Sequence, residues 1–332
     1  MSPLDERPAL PGLWADPNIA EFDGRFYIYA TTDGVPEWGA TEYYAWWSDD
    51  LREWSRTADP ILILAPDGDV PWASGKAWAP TIMRRGEKYF FYFCGFAPAL
   101  GDHAIGVAVA DDPLGPFLAE REPIVTNTEE VRVGHAIDPA TFADPVTGRR
   151  YLLWGNTSAI LAELSENSLR ILPQTLTKPE GLALFSEGAF LNHRRGLYHL
   201  TYSIGDTRWK EYRVGYATAH DIRGPWTYRG VILQQRPELG IFGTGHSSIL
   251  NVEGTDDWFI VYHRFARPGG DGMHRETVID RLHFDEDTGL MQVVIPTLGG
   301  EGVIFDDTRR ASPPTIGLSG TARSHPRAKG TD

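Results

Sequence analysis

One motif recurs along the chain, and it limits the folds available more than any other feature of the sequence. Five segments share a design: a short opening motif, a glycine-bearing turn, then a run of aromatic and β-branched residues. They are DPNIAEFDGRFYIYAT from Asp16, APTIMRRGEKYFFYFC from Ala79, DPATFADPVTGRRYLLWG from Asp138, EGAFLNHRRGLYHLTYS from Glu187 and HSSILNVEGTDDWFIVYHR from His246. Their first residues lie 63, 59, 49 and 59 positions apart. Glycine in each turn suits the backbone of a tight hairpin, and alternating large residues suit a pleated strand. A third strand-like run follows three of the hairpins (EYYAWWS, AIGVAVA, RVGYATA). Three units close on an echo, SDDLREW, ADDPLGPF and AHDIRGPW, built on Asp50, Asp112 and Asp221.

A repeat of about 60 residues carrying about four short strands is the size of a propeller blade. A β-sandwich does not predict five copies of one hairpin opening. A parallel α/β fold needs amphipathic helical segments between strands, and the sequence has none that convince. The chain therefore reads as all-β, a five-bladed β-propeller over residues 1–308, followed by a Pro-, Gly- and Ser-rich segment, 309–332, expected to be a flexible tail.

Charge and cysteine usage narrow the partners. The 31 Lys+Arg and 45 Asp+Glu leave a net charge of −14, and the basic 309–332 segment carries +4, so the rest holds −18. Such a surface lacks the clustered cations that nucleic acid requires. No apolar stretch approaches the roughly 20 residues of a membrane helix. Cys94, the single cysteine, sits in the strand-like run YFFYFCG and reads as a buried structural residue. The opening MSPLDERPALPG has no basic start and no apolar core, so a cytoplasmic location is expected.

The inner strand of every propeller blade lines one central channel, so equivalent positions converge there. The repeat's opening position holds Asp16, Ala79, Asp138, Glu187 and His246. Three carboxyls meeting in one funnel disfavour shared ionisation, which separates an acid from a base as hydrolysis requires. Other chemistries fit poorly. His103, His135, His193, His199, His263, His274 and His283 show no paired metal-ligand spacing such as HExxH. DEDTG reads as a turn rather than a calcium loop, the GTG at Gly243–Gly245 lacks a phosphate-loop lysine, and no GxSxG occurs.

At these residues the sequence resembles glycoside hydrolase family 43. The likeness rests on ADPNI around Asp16, KAWAPTI at Lys76–Ile82, AIDPATF around Asp138, SEGAF around Glu187, GTGHSSI around His246 and HRETVIDRLHF at His274–Phe284. It implies that Asp16 is the general base, that Glu187 is the general acid and that Asp138 tunes and orients Glu187. It further implies inversion, with acid and base roughly 6.5–9.5 Å apart. His246 matches a histidine that in many relatives faces a central, water-coordinated cation, often Ca2+. Arg275 matches an arginine that contacts the sugar, and Trp78 and Trp14 could offer apolar faces to a furanose or pyranose ring.

Several xylosidases of that family have Pro or another residue after Glu-Gly, where this chain has EGAF, and some carry a β-sandwich for which this chain has no room. An exo-acting α-L-arabinofuranosidase on pentose-containing oligosaccharides or polysaccharides is therefore expected, with β-D-xylosidase second. β-Fructosidases would show RDP and EC where this chain reads IDP and SEG. A non-catalytic sugar-binding propeller has no need of three axial acids.

Overall fold

The computed structural model describes residues 7–128 and 132–299. Its strands are buried on both faces, which is why they read as unbroken aromatic runs rather than as alternating ones. In Lys88–Ala97 every residue from Tyr89 to Gly95 is buried. Tyr89, Phe91 and Phe93 point to one side and Phe90, Tyr92 and Cys94 to the other, into two different cores. Each large side chain so buried contributes about 1.5–3 kcal/mol.

The strands form five antiparallel blades, apart from Glu42–Tyr43 and Leu62–Ile63, which pair with each other. Blade 1 comprises Trp14–Phe22, Arg25–Thr32, Ala45–Ser48 and Ser55–Arg56. Blade 2 has Trp78–Arg85, Lys88–Ala97, Asp102–Ala110 and Leu118–Ala119, with Val125–Thr126 also paired to its third strand. Blade 3 has Ala140–Ala143, Arg150–Trp154 and Ile160–Glu163. Blade 4 has Glu187–Arg194, Leu197–Ile204, Arg213–Ala219 and Thr227–Leu233. Blade 5 has Gly245–Asn251, Trp258–Phe265 and Arg275–Leu282. Blades 1 and 4 have the expected four strands, blade 2 has five, and blades 3 and 5 have three among the described residues. Helical structure is confined there to three short 3-10 turns, each opening on proline.

The first strands of successive blades lie side by side in a closed ring, blade 5 returning to blade 1. Five apolar clusters fill the five gaps between blades. The last joins Trp14, Ile19 and Phe26 of blade 1 to Phe259, Val261 and Ile279 of blade 5. The chain entering blade 1 strengthens the same joint, since Ala9 N–H donates to the Thr277 carbonyl at 2.8 Å. The echo that closes three units is turn chemistry. Asp50 accepts from the Arg52 and Glu53 amides, Asp112 from Leu114 and Asp221 from Arg223, at 2.8–2.9 Å. Cys94 is buried and its thiol is pushed up by burial, as a structural residue should be. The expected tail, 309–332, lies outside the described residues.

The inner strands share one irregularity that sets the site. Strand pairing slips between Ala15 and Asn18, Trp78 and Thr81, Glu187 and Phe190, and Gly245 and Ser248. One residue per blade takes left-handed backbone, within the bulge in four blades and just ahead of Ala140–Ala143 in blade 3: Asp16 (φ 52°), Ala79 (31°), Asp138 (58°), Gly188 (60°) and His246 (46°). Bulges re-aim side chains, and left-handed non-glycine residues cost about 1–2 kcal/mol each, so they persist where surrounding structure imposes them. The geometry corrects the repeat register. Asp16, Ala79, Asp138 and His246 are equivalent, but their counterpart in blade 4 is Gly188. Glu187 stands one residue earlier.

Candidate active site

The bulges open into a cavity of about 520 Å³ at the propeller axis, lined by Asp16, Asp138, Glu187, His246 and Arg275 among others. Its apolar wall is Trp38, Trp78, Ile137 and Phe185. Six of the seven residues singled out in the sequence therefore meet at one place. Trp14 does not. Its ring packs edge-on against Tyr44 and Trp46 in the core between blades 5 and 1, and its indole N–H donates to the Pro11 carbonyl. The aromatic that joins Trp78 on the cavity wall is Trp38, whose backbone oxygen accepts the Trp78 indole N–H at 2.7 Å.

Asp16 is buried and surrounded by donors. Its Oδ2 accepts from the Thr31 hydroxyl at 2.7 Å, and its Oδ1 accepts from Arg275 Nη1 at 3.1 Å. His263 Nδ1 and His246 Nδ1 lie 3.0 and 3.3 Å from the same oxygen. Burial opposes ionisation, but Arg275 and the two imidazoles outweigh it and hold Asp16 well below the usual carboxylate range. Burial also pulls His263 down to about 4, so that ring is neutral, and its Nδ1 accepts from the Asp16 backbone N–H at 3.2 Å.

Arg275 is placed by a residue the repeat did not reveal. Asp33 accepts from the Arg275 backbone N–H, Nε and Nη2 at 2.7, 3.0 and 2.9 Å. Nη1 also donates to Thr207 Oγ1 at 3.1 Å. The guanidinium lines the cavity, yet most of its donors are spent on the protein. Its first task in this geometry is to orient and ionise Asp16.

Asp138 behaves oppositely. Burial, then the nearby Glu187 and Asp16 carboxylates, push it well above its ordinary value, against the opposing pull of the Gly188 N–H. Glu187 is less buried and is fixed at both oxygens. Tyr212 O–H donates to Oε1 at 2.8 Å and Asn156 Nδ2 to Oε2 at 2.9 Å. Burial raises Tyr212 well above 10, so it stays a donor. Its position depends on Gly245, where a Cβ would lie 2.2 Å from the Tyr212 ring.

His246 faces the cavity with its Nδ1 3.3 Å from Asp16 Oδ1. Calcium takes six to eight oxygen ligands. The carboxylate beside His246 is Asp16, whose oxygens already face Arg275, His263, His246 and Thr31. These residues would not by themselves complete a calcium shell, so a cation beside His246 would take most of its ligands from water.

Asp33, Asn156 and Tyr212 escape the repeat because they lie just outside strands, whereas Thr31 and His263 share one position, opposite the residue before the bulge, that holds Cys94 in blade 2 and Ser203 in blade 4 and so carries no common residue type. Gly188 can be tested directly. A Cβ at Gly188 would stand 3.1–3.2 Å from the His246 ring, in backbone with φ +60°. Gly188→Ala is expected to cost about 1–2 kcal/mol in chemical denaturation from the backbone alone, with a rise in KM as His246 is displaced.

Two carboxyls held in opposite protonation regimes across one cavity are the arrangement of a glycosidase, and comparison with known proteins identifies which. The sequence profile described as "Glycosyl hydrolases family 43" matches residues 6–289. The chain belongs to glycosyl hydrolase family 43. It is similar to the beta-D-galactofuranosidase xynD of Aspergillus niger, 33% identical over 89% of this chain and 86% of that one. It is also similar to a xylosidase/arabinosidase of Bacteroides ovatus, 28% identical over 87% and 98% of the two chains. Among solved structures, the GH43_1 enzyme of Xanthomonas citri complexed with xylose superposes with a TM-score of 0.75 at 27% identity, covering 90% of this chain and 95% of that one. The protein is a family 43 glycoside hydrolase on a five-bladed propeller.

Proposed function

We propose that this family 43 enzyme is an inverting, exo-acting α-L-arabinofuranosidase, with Asp16 as general base, Glu187 as general acid and Asp138 as the residue that sets the proton affinity of Glu187. The observation that carries the roles is the meeting of the three acids in one cavity, with Asp16 held ionised, Asp138 held protonated and Glu187 fixed at both oxygens by Tyr212 and Asn156. Asp16, depressed by Arg275, is ionised and ready to take a proton from water. Burial and the neighbouring Glu187 and Asp16 carboxylates keep Asp138 protonated to higher pH than an isolated carboxyl, so it stands uncharged beside Glu187. In this assignment the departing glycosidic oxygen takes its proton from Glu187, and Tyr212 and Asn156 donate to the carboxylate left behind.

The sugar assignment is supported by the cavity and by the relatives. A cavity of about 520 Å³ walled by Trp38, Trp78 and Phe185 suits a terminal sugar held by its apolar face. β-D-Galactofuranose and α-L-arabinofuranose share one ring configuration and differ in the exocyclic arm, so the name of the Aspergillus relative favours a furanose ring. The Bacteroides relative joins arabinose to xylose as the second reading.

The test is a panel of 4-nitrophenyl α-L-arabinofuranoside, β-D-galactofuranoside and β-D-xylopyranoside, with proton NMR of the first product formed. We expect kcat/KM on the arabinofuranoside to exceed that on the xyloside at least tenfold, with the β-anomer of arabinose appearing first. A xyloside or galactofuranoside preference would overturn the arabinose assignment. First release of the α-anomer would overturn inversion.

A further inference from the structure

A second cluster of ligating side chains stands on the wall of the same cavity. We propose that Asp102, His103 and His135 form a site for a divalent transition metal of the zinc class. Asp102 and His103 open the third strand of blade 2, and His135 comes from the segment that leads into Asp138. One ligating atom from each lies within 4.8 Å of the others. Asp102 Oδ1 is 3.1 Å from His135 Nδ1 and 3.7 Å from His103 Nδ1. Ligands on a tetrahedral zinc at about 2.0–2.2 Å stand about 3.4 Å apart, so closure needs only small side-chain adjustments.

His103 supplies the independent argument. Both its ring nitrogens are buried, and neither has a hydrogen-bond partner among the described residues. The ring stacks on Trp78 with centroids 4.8 Å apart, and meets His135 edge-on at 5.0 Å. An Asp102–His135 hydrogen bond accounts for those two groups but leaves His103 unused, whereas a shared metal takes one of its nitrogens. The carboxylate is also braced as ligands in metal sites are. Asn127 Nδ2 donates to Asp102 Oδ2 at 3.2 Å, and Asn127 is itself tied to Val133 through its amide oxygen and nitrogen. Two imidazoles and one carboxylate suit zinc and its neighbours rather than calcium or magnesium, which demand oxygen.

The site touches function through position, since His135 and Trp78 both line the catalytic cavity. It is separate from the axial histidines and does not depend on which sugar is cleaved. The metal-free full-length chain should be titrated with Co2+ by visible absorption and with Zn2+ by calorimetry, in parallel with Ca2+. One saturable equivalent of Zn2+ is expected, at least tenfold tighter than Ca2+. His135→Ala and Asp102→Asn should each weaken it at least tenfold, and His246→Ala should leave it within twofold. His135 is half exposed, so its replacement is tolerated by the fold, which near-UV circular dichroism checks. Absence of saturable Zn2+ binding below millimolar, or binding unchanged in both His135→Ala and Asp102→Asn, would overturn the proposal.

Discussion

Glu187→Gln is expected to lower kcat on arabino-oligosaccharides by about 10³-fold, within the range for losing a general acid, yet to spare much of the activity on 4-nitrophenyl arabinofuranoside. A sugar alkoxide cannot depart at neutral pH without a proton, whereas nitrophenolate leaves unaided. Glutamine keeps the size of the side chain and can still accept from Tyr212, so the loss reports proton delivery rather than collapse of the site. Asp16→Asn should behave differently. The attacking water must lose its proton whatever group departs, so activity on both substrates should fall by a similar factor, again about 10³. The ratio of the two substrates' kcat values in each variant is the measurement. Equal losses on both substrates for Glu187→Gln would remove the acid assignment, and a leaving-group-dependent loss for Asp16→Asn would remove the base.

Arg275→Leu should produce the largest effect on stability. It would leave Asp16 and Asp33 buried without the guanidinium that bridges them. Removing one partner of a buried ion pair costs about 3–5 kcal/mol. The pH dependence has a definite sign. The folded Asp16 is depressed, so its contribution to stability is present above the unfolded carboxylate value of about 3.9 and fades as pH falls below it. The destabilisation of Arg275→Leu should therefore be full at pH 7 and shrink in acid, where a protonated Asp16 no longer needs the cation. In the wild type, the acid limb of kcat/KM should lie below the usual carboxylate range. In the variant that limb should move to higher pH, because burial then acts on Asp16 with less opposition. Urea melts at pH 7 and pH 3, with a pH–rate profile of each protein, test both statements. A variant as stable as the wild type with an unmoved acid limb would show that Arg275 does not govern Asp16.

The division of labour around these residues explains what could be read early. Hairpin periodicity is a local property, so DPNIAEFDGRFYIYAT and its four echoes announce blades, and the ring follows because five such units cannot bury their faces separately. The equivalence of Asp16, Asp138 and His246 was legible for the same reason, as was the burial of Cys94. Register by one residue was not. Glu187 looks like the start of its repeat, and only the strand pairing of Glu187 with Ser203 and Phe190 with Thr201 reveals that Gly188 occupies the bulge. Trp14 looked like a sugar platform because it neighbours Asp16 in sequence. Residues two apart share a face in a regular strand, but the slip between Ala15 and Asn18 re-aims Asp16, and the joint between blades 5 and 1 claims the Trp14 ring.

By itself, then, the sequence determined the five-bladed ring, the three acids at its axis and the family to which the chain belongs, because each is written in a motif that repeats or stands in order. Tertiary structure alone decided how those acids titrate. Asp33 reaches Arg275 across 242 positions of sequence and Arg275 reaches Asp16 across 259. Protonation depends on burial and on charges within a few ångströms, and no spacing along the chain encodes either. The same is true of His103 and His135, whose spacing suggests no metal and whose ring nitrogens meet Asp102 only once blade 2 and the approach to blade 3 have folded together.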